Sequence, residues 1–139
     1  VFKKILAAVD GSDDSLRALD AAAELARTQG ARLVVTSVAY LPEAYKVDLS
    51  EELQMAIRDS AAAILDDAKR HIAGSGVAAA FQLAVDERPD DAIVRISREG
   101  RFDLVVLGRR GTHAGTVKQV GGVSQAVLAG AGCSVLLVI

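Results

Sequence analysis

Two stretches of this chain have residue types and spacing able to do chemistry. The first carries Gly108 and Gly111, then nine residues, then Gly121, Gly122, Val123 and Ser124. An apolar run of strand length, Leu104, Val105, Val106 and Leu107, enters it. After it, Val123, Val127 and Leu128 stand at i, i+4 and i+5, the spacing of a buried helix face. Gly121 and Gly122 therefore sit where a helix starts. The first amides of a helix lack intrahelical partners, and glycine lets a ligand oxygen approach them closely. That combination suits a phosphate group. The second stretch is Asp10, Gly11, Ser12, Asp13, Asp14 and Ser15. Its side chains suit capping of the next helix, and Asp10 can also face a ligand.

Familiar phosphate loops do not fit. A P-loop, G-x-x-x-x-G-K-[ST], needs a second glycine five positions after its first, but His113 and Thr116 stand there after Gly108 and Gly111. A dinucleotide fingerprint needs G-x-G-x-x-G after the first strand and an acidic residue ending the second. Here the chain offers Asp10, Gly11, Ser12 and then Val38, Ala39, Tyr40. The run from Asp10 to Ser15 lacks the leading Ser-Gly-Gly of a pyrophosphatase loop. A receiver domain needs an acidic cluster, an acceptor Asp after the third strand and a Lys after the fifth, and that Lys is not found here. His71 and His113 have no assignable partners, so no nucleophile and base pair is visible. No cluster has metal-ligand spacing either, and Mg²⁺ would enter only with a nucleotide's phosphates.

The elements that must position these residues alternate strictly. Strands are expected over residues 3–9, 32–38, 77–85, 103–107 and 134–139. Helices are expected from Leu16 to about Thr28, over residues 51–72 with Leu53, Ile57, Ala61, Ile64, Leu65 and Ala68 on one stripe, through Ala92, Ile93 and Ile96, and from Val123 to about Gly130. Residues 40–50 read as a connection over the sheet rim. Such alternation implies right-handed crossovers and an α/β domain, an open parallel five-stranded sheet with helices on both faces. With strand order 3-2-1-4-5, strands one and four are neighbours where the order reverses. Ligands bind there, at the strands' carboxyl ends. The loops after Val9 and Leu107 meet at that point.

The spacing Gly108-x2-Gly111-x9-Gly121 resembles the motif of ATP-binding members of the universal stress protein family. The opening Lys3-Lys-Ile-Leu-Ala-Ala-Val-Asp10-Gly-Ser12 and the closing Cys133-Ser-Val-Leu-Leu-Val138 resemble the family's two ends, so the likeness spans nearly the whole of residues 1–139 as one domain. The resemblance implies a Rossmann-like fold, akin to the adenine nucleotide alpha hydrolases, and a regulatory adenine nucleotide, ATP foremost, with little or no turnover. It implies a site of Ala8, Val9 and Asp10 against the adenosine, Val38 near the base, and Leu107, Gly108, Arg109, Gly111, Gly121, Gly122, Val123 and Ser124 around the phosphates. The family's Ser or Thr at the fourth motif position is Gly122 here, whereas Ser124 retains a hydroxyl. That departure keeps a second reading open, a dimeric interaction module without nucleotide. Residues 112–120 would form a flap over the phosphates, with His113 and Lys118 its ionisable members.

Composition limits the partners. Of 139 residues, 51% are apolar and the formal charge is −2, enough core for one domain and no global field for nucleic acid or an anionic membrane. Any anion site must be local. One cysteine excludes an internal disulfide and suits a reducing cytoplasm. No apolar stretch reaches about 18 residues, so no membrane span is expected. The apolar strand at the chain's end would be an uncovered edge, which predicts a homodimer.

Overall fold

The computed structural model describes residues 1–41, 50–109 and 121–139. In chain order these form β1 (Lys4–Ala8), α1 (Asp13–Gln29), β2 (Arg32–Ala39), α2 (Glu51–His71), β3 (Ala79–Val85), α3 (Pro89–Glu99), β4 (Leu104–Gly108), α4 (Gly122–Gly130) and β5 (Ser134–Val138). The strands make one sheet in the order β3-β2-β1-β4-β5, and every pairing is parallel. The predicted fold and the reversal between β1 and β4 are therefore as observed. Gly111, Arg110 and the predicted flap over 112–120 lie outside the described residues, as does most of the rim connection.

Alternation along the strands explains the two layers, because successive side chains point to opposite faces. Ile5, Ala7, Val9, Leu33, Val35, Leu104 and Val106 join α1 and α2 in one buried cluster. Leu6, Val105 and Leu107 pack with Ile93, Ile96 and Val127, from α3 and α4, in another. Covered on both faces, the central strands read as unbroken apolar runs. Each fully buried Ile or Leu of this kind contributes about 1.5–3 kcal/mol.

Helix ends follow local chemistry. Ser12 caps α1 by accepting from Ser15 N at 3.2 Å, and Gly30 ends it at φ 64°, a left-handed turn that suits glycine. Ser50 caps α2 in the same way through Leu53 N, 3.2 Å away. Pro89 opens α3, where its missing N–H costs nothing.

Two helical faces differ from the sequence expectation. On α2 the stripe does not begin at Leu53, which is 52% exposed; the buried residues are Ala61, Leu65 and Ala68. On α4 only Val127 of the predicted face is fully buried, with Val123 at 38% and Leu128 at 49% exposure. This short helix packs on α3, where a Cβ added at Gly130 would come 3.1 Å from Val94 Cγ2. A short helix meeting its neighbour edge-on buries a line of residues rather than a broad stripe.

Candidate functional site

The carboxyl ends of β1, β2 and β4 open into a cavity of about 530 Å³, an ordinary size for a small-molecule site. Of the residues singled out from sequence, Ala8, Val9, Asp10, Val38, Leu107, Gly108, Gly121, Gly122, Val123 and Ser124 all line it. Arg109 does not.

At one end, β4 runs into Gly108. A Cβ there would fall 2.8 Å from the carbonyl carbon and Cβ of Asp14 and 2.9 Å from Ser15 N, too close for any side chain. Gly108 is thus what allows β4 to abut the first turn of α1. Arg109 contributes through its backbone: its N–H donates to Val138 O at 2.8 Å, and its carbonyl accepts from Gly121 N, also at 2.8 Å. The second bond ties the chain leaving β4 to the chain entering α4. Ser124, buried, donates from Oγ to Gly108 O over 2.8 Å. A hydroxyl has one proton, and this one is spent within the protein. Ser124 so placed meets an acceptor only through its main-chain N–H.

The start of α4 is chemically open. Gly121 is its N-cap and has no side chain to bond the first turn, no described side chain caps it, and that turn holds no acidic residue. Nothing lies within 4 Å of where a Gly122 Cβ would stand. The first amides and the helix dipole together favour an anion at this position.

In the middle of the cavity, Val9 N donates to Thr36 O at 2.9 Å, carrying the β1–β2 ladder one step past the strand. Asp10 then turns the chain. Its Oδ1 accepts from Ser12 N at 3.0 Å and from Ser12 Oγ at 2.5 Å, and its own N–H donates to Ser15 Oγ at 3.3 Å. Capping of α1 falls to Ser12, with Asp10 orienting that hydroxyl.

Sequence reasoning missed the far wall. β2 adds Ser37 and is followed by Tyr40, α2 adds Ile57, Ser60, Ala61 and Ile64, and α3 adds Pro89 and Ile93. The α2 residues were legible as an apolar stripe; that its amino-terminal half faces a crevice rather than the sheet was not. Among the described lining residues, Asp10 and Tyr40 are the ionisable ones. Attraction for an anion in this part of the site therefore comes from main-chain N–H groups. No cluster of three or more His, Cys, Asp or Glu able to hold a metal occurs among the described residues.

An open parallel sheet with a cavity at its reversal point, where such sheets take their ligands, and a helix start facing it defines a doubly wound α/β protein. Residues 2–138 match the universal stress protein family, and the chain belongs to it. Universal stress protein YxiE of Bacillus subtilis is 33% identical over 152 aligned positions, covering 99% of each chain. A universal stress protein crystallised with cyclic AMP is 26% identical with a TM-score of 0.76, covering 99% of this chain and 97% of that one. The Archaeoglobus fulgidus protein in complex with dAMP is likewise 26% identical, with a TM-score of 0.73 and coverage of 100% and 98%.

Proposed function

We propose that this protein binds an adenine nucleotide, ATP foremost, as a regulatory ligand in the stress response, with little or no turnover. One observation carries the reading: residues chosen for nucleotide chemistry from distant parts of the sequence line a single cavity that ends on an uncapped helix start. Related proteins crystallised with cyclic AMP and dAMP support the adenine class. The residues present suit such a ligand. The amides at Gly122, Val123 and Ser124 take the phosphates, Gly108 and Leu107 bound that end, Asp10 with Ala8 and Val9 faces the ribose, and Val38 borders the base. Bound there, the nucleotide supplies a polyanion that completes the first turn of α4. Mg²⁺ enters with the phosphates.

Calorimetric titration with ATP, ADP, AMP and cyclic AMP tests the reading. Saturable binding with ATP tightest supports it; no heat of binding at millimolar nucleotide defeats it. The second reading, an interaction module without nucleotide, is favoured by Gly122 and by the commitment of Ser124 Oγ to Gly108 O. Mass spectrometry of the purified protein separates the two, because only the first predicts retained nucleotide.

The reading includes a cytoplasmic homodimer. Among the described residues β5 pairs only with β4 and is the edge strand, with Leu136 and Ile139 37% and 65% exposed. Light scattering at micromolar concentration gives twice the chain mass if this is right. No described helix is long and apolar enough to cross a membrane.

A further inference from the structure

The buried hydroxyls of this protein divide unevenly. Ser15, Thr36, Ser97 and Ser124 are buried, and each donates to a main-chain carbonyl: Ser12 O at 2.9 Å, Gln82 O at 2.8 Å, Val94 O at 2.8 Å and Gly108 O at 2.8 Å. Ser37 is 2% exposed and lines the cavity; its hydroxyl makes none of these bonds to a described residue and is not among the sealed-off unpaired atoms, so it opens to the cavity. A hydroxyl that opens on a cavity without a protein partner pairs with water in the free protein and with a ligand atom when one replaces that water. An unpaired hydroxyl in a cavity wall is therefore a place where a ligand atom is expected.

Position says which part of the ligand. Gly121 to Ser124 mark the phosphate end, beside β4. β2 lies two places away across the sheet, beyond β1, and two strand spacings are about 10 Å. A nucleotide whose phosphates sit at α4 and whose ribose passes Asp10 brings its base to the end of β2. Alternation places Ser37 on the same face as Leu33 and Val35, the face that packs towards α2. Ala61 and Ile64 of α2 line the cavity on that side. These apolar walls suit the flat rings; Ser60 of α2 and Tyr40 also line this side, but Ser60 is exposed, and the buried Ser37 hydroxyl is the one set among the apolar walls to pair with a polar group on the ring edge.

We infer that Ser37 is a specificity-determining residue whose hydroxyl hydrogen-bonds the polar edge of a purine base. The inference rests on the nucleotide reading above and adds a residue which the motif does not contain. Serine can donate or accept, so it recognises that a polar group is present rather than which one.

The test is a calorimetric comparison of the native protein and Ser37→Ala with ATP and with benzimidazole riboside 5′-triphosphate. The latter keeps two fused rings but lacks the polar groups of the six-membered ring. Ser37→Ala is expected to weaken ATP about five- to tenfold and to leave the benzimidazole nucleotide within about twofold, since no hydrogen bond is lost there. An equal loss for both ligands, or an unchanged affinity for ATP, overturns the inference while leaving the nucleotide reading intact. A native protein that binds neither ligand overturns both. A second readout is the Tm without ligand. Removing a cavity-facing hydroxyl that has no protein partner leaves it unchanged or raises it, whereas a fall, or failure to fold, means Ser37 is already paired within the free protein and overturns the inference.

Discussion

Two helices begin at the same crevice and present opposite chemistry to it. The first turn of α1 is closed: Ser12 caps it, Asp10 holds Ser12, and Asp13 and Asp14 already place negative charge at the positive end of the dipole. Asp14 is buried and paired with Arg17. The first turn of α4 has no side-chain cap and no acidic residue. A polyanion approaching both meets carboxylates at one and unsatisfied amides at the other. Orientation of a bound nucleotide follows from that difference, with phosphates on α4 and the sugar passing α1.

The largest effect comes from forcing the two helix starts apart. Gly108 lets β4 touch the first turn of α1, and the atoms a Cβ would strike include backbone at 2.8 and 2.9 Å, which cannot swing aside. Gly108→Ala is expected to cost about 1–3 kcal/mol of stability, as overpacking does, and to abolish nucleotide binding by shifting α1 against the cavity. Urea denaturation with an ATP titration reads both. An alanine variant as stable as the native protein would show that the contact yields easily.

Making α4 resemble α1 is the next test. Gly121→Asp places a carboxylate at the empty N-cap, where it accepts from the first amides and repels phosphate. Folding should gain only a few tenths of a kcal/mol, while ATP affinity should fall about tenfold or more. If affinity holds with that cap filled, the phosphates bind elsewhere. The reverse change sharpens the contrast. Gly122→Ser adds a hydroxyl where nothing lies within 4 Å, and is expected to tighten ATP about fivefold through one further bond to a charged acceptor. Weaker binding would mean the space is needed by the ligand itself.

The glycine spacing made the site visible in the sequence, but not the separate reasons for each glycine. Gly108 is required by contact with α1, whereas a side chain at Gly122 would meet open space. Spacing alone cannot separate these, because the difference lies in what another element brings alongside. The sheet order and both layers followed from alternation and from the apolar runs of β1 and β4, where burial on two faces leaves little freedom in residue choice. The far wall was less legible for the opposite reason. Ile57, Ala61 and Ile64 make an apolar face whether they meet a sheet or a ligand. Ser37 gave no signal at all, since a serine in a strand acquires meaning only from the partner it lacks.

The smallest effect belongs to the other end of β4. Asp103, just before the strand, accepts from Lys3 N at 2.8 Å and Lys4 N at 3.0 Å, fastening the start of the chain to the sheet. Burial works to raise its carboxyl pKa, yet these amide bonds prevail and hold it below the ordinary value. Its contribution is therefore present above the unfolded pKa, about 3.9, and is lost as pH falls through the lower folded value. Asp103→Asn should cost about 0.5–1 kcal/mol at pH 7 and flatten the loss of stability below about pH 4, leaving ATP affinity unchanged. Cys133 gives a separate readout. Its thiol is raised first by burial and second by the charge of Asp103, so the variant should speed alkylation of Cys133 only slightly. A large acceleration would make the carboxylate, rather than burial, the main restraint on that thiol.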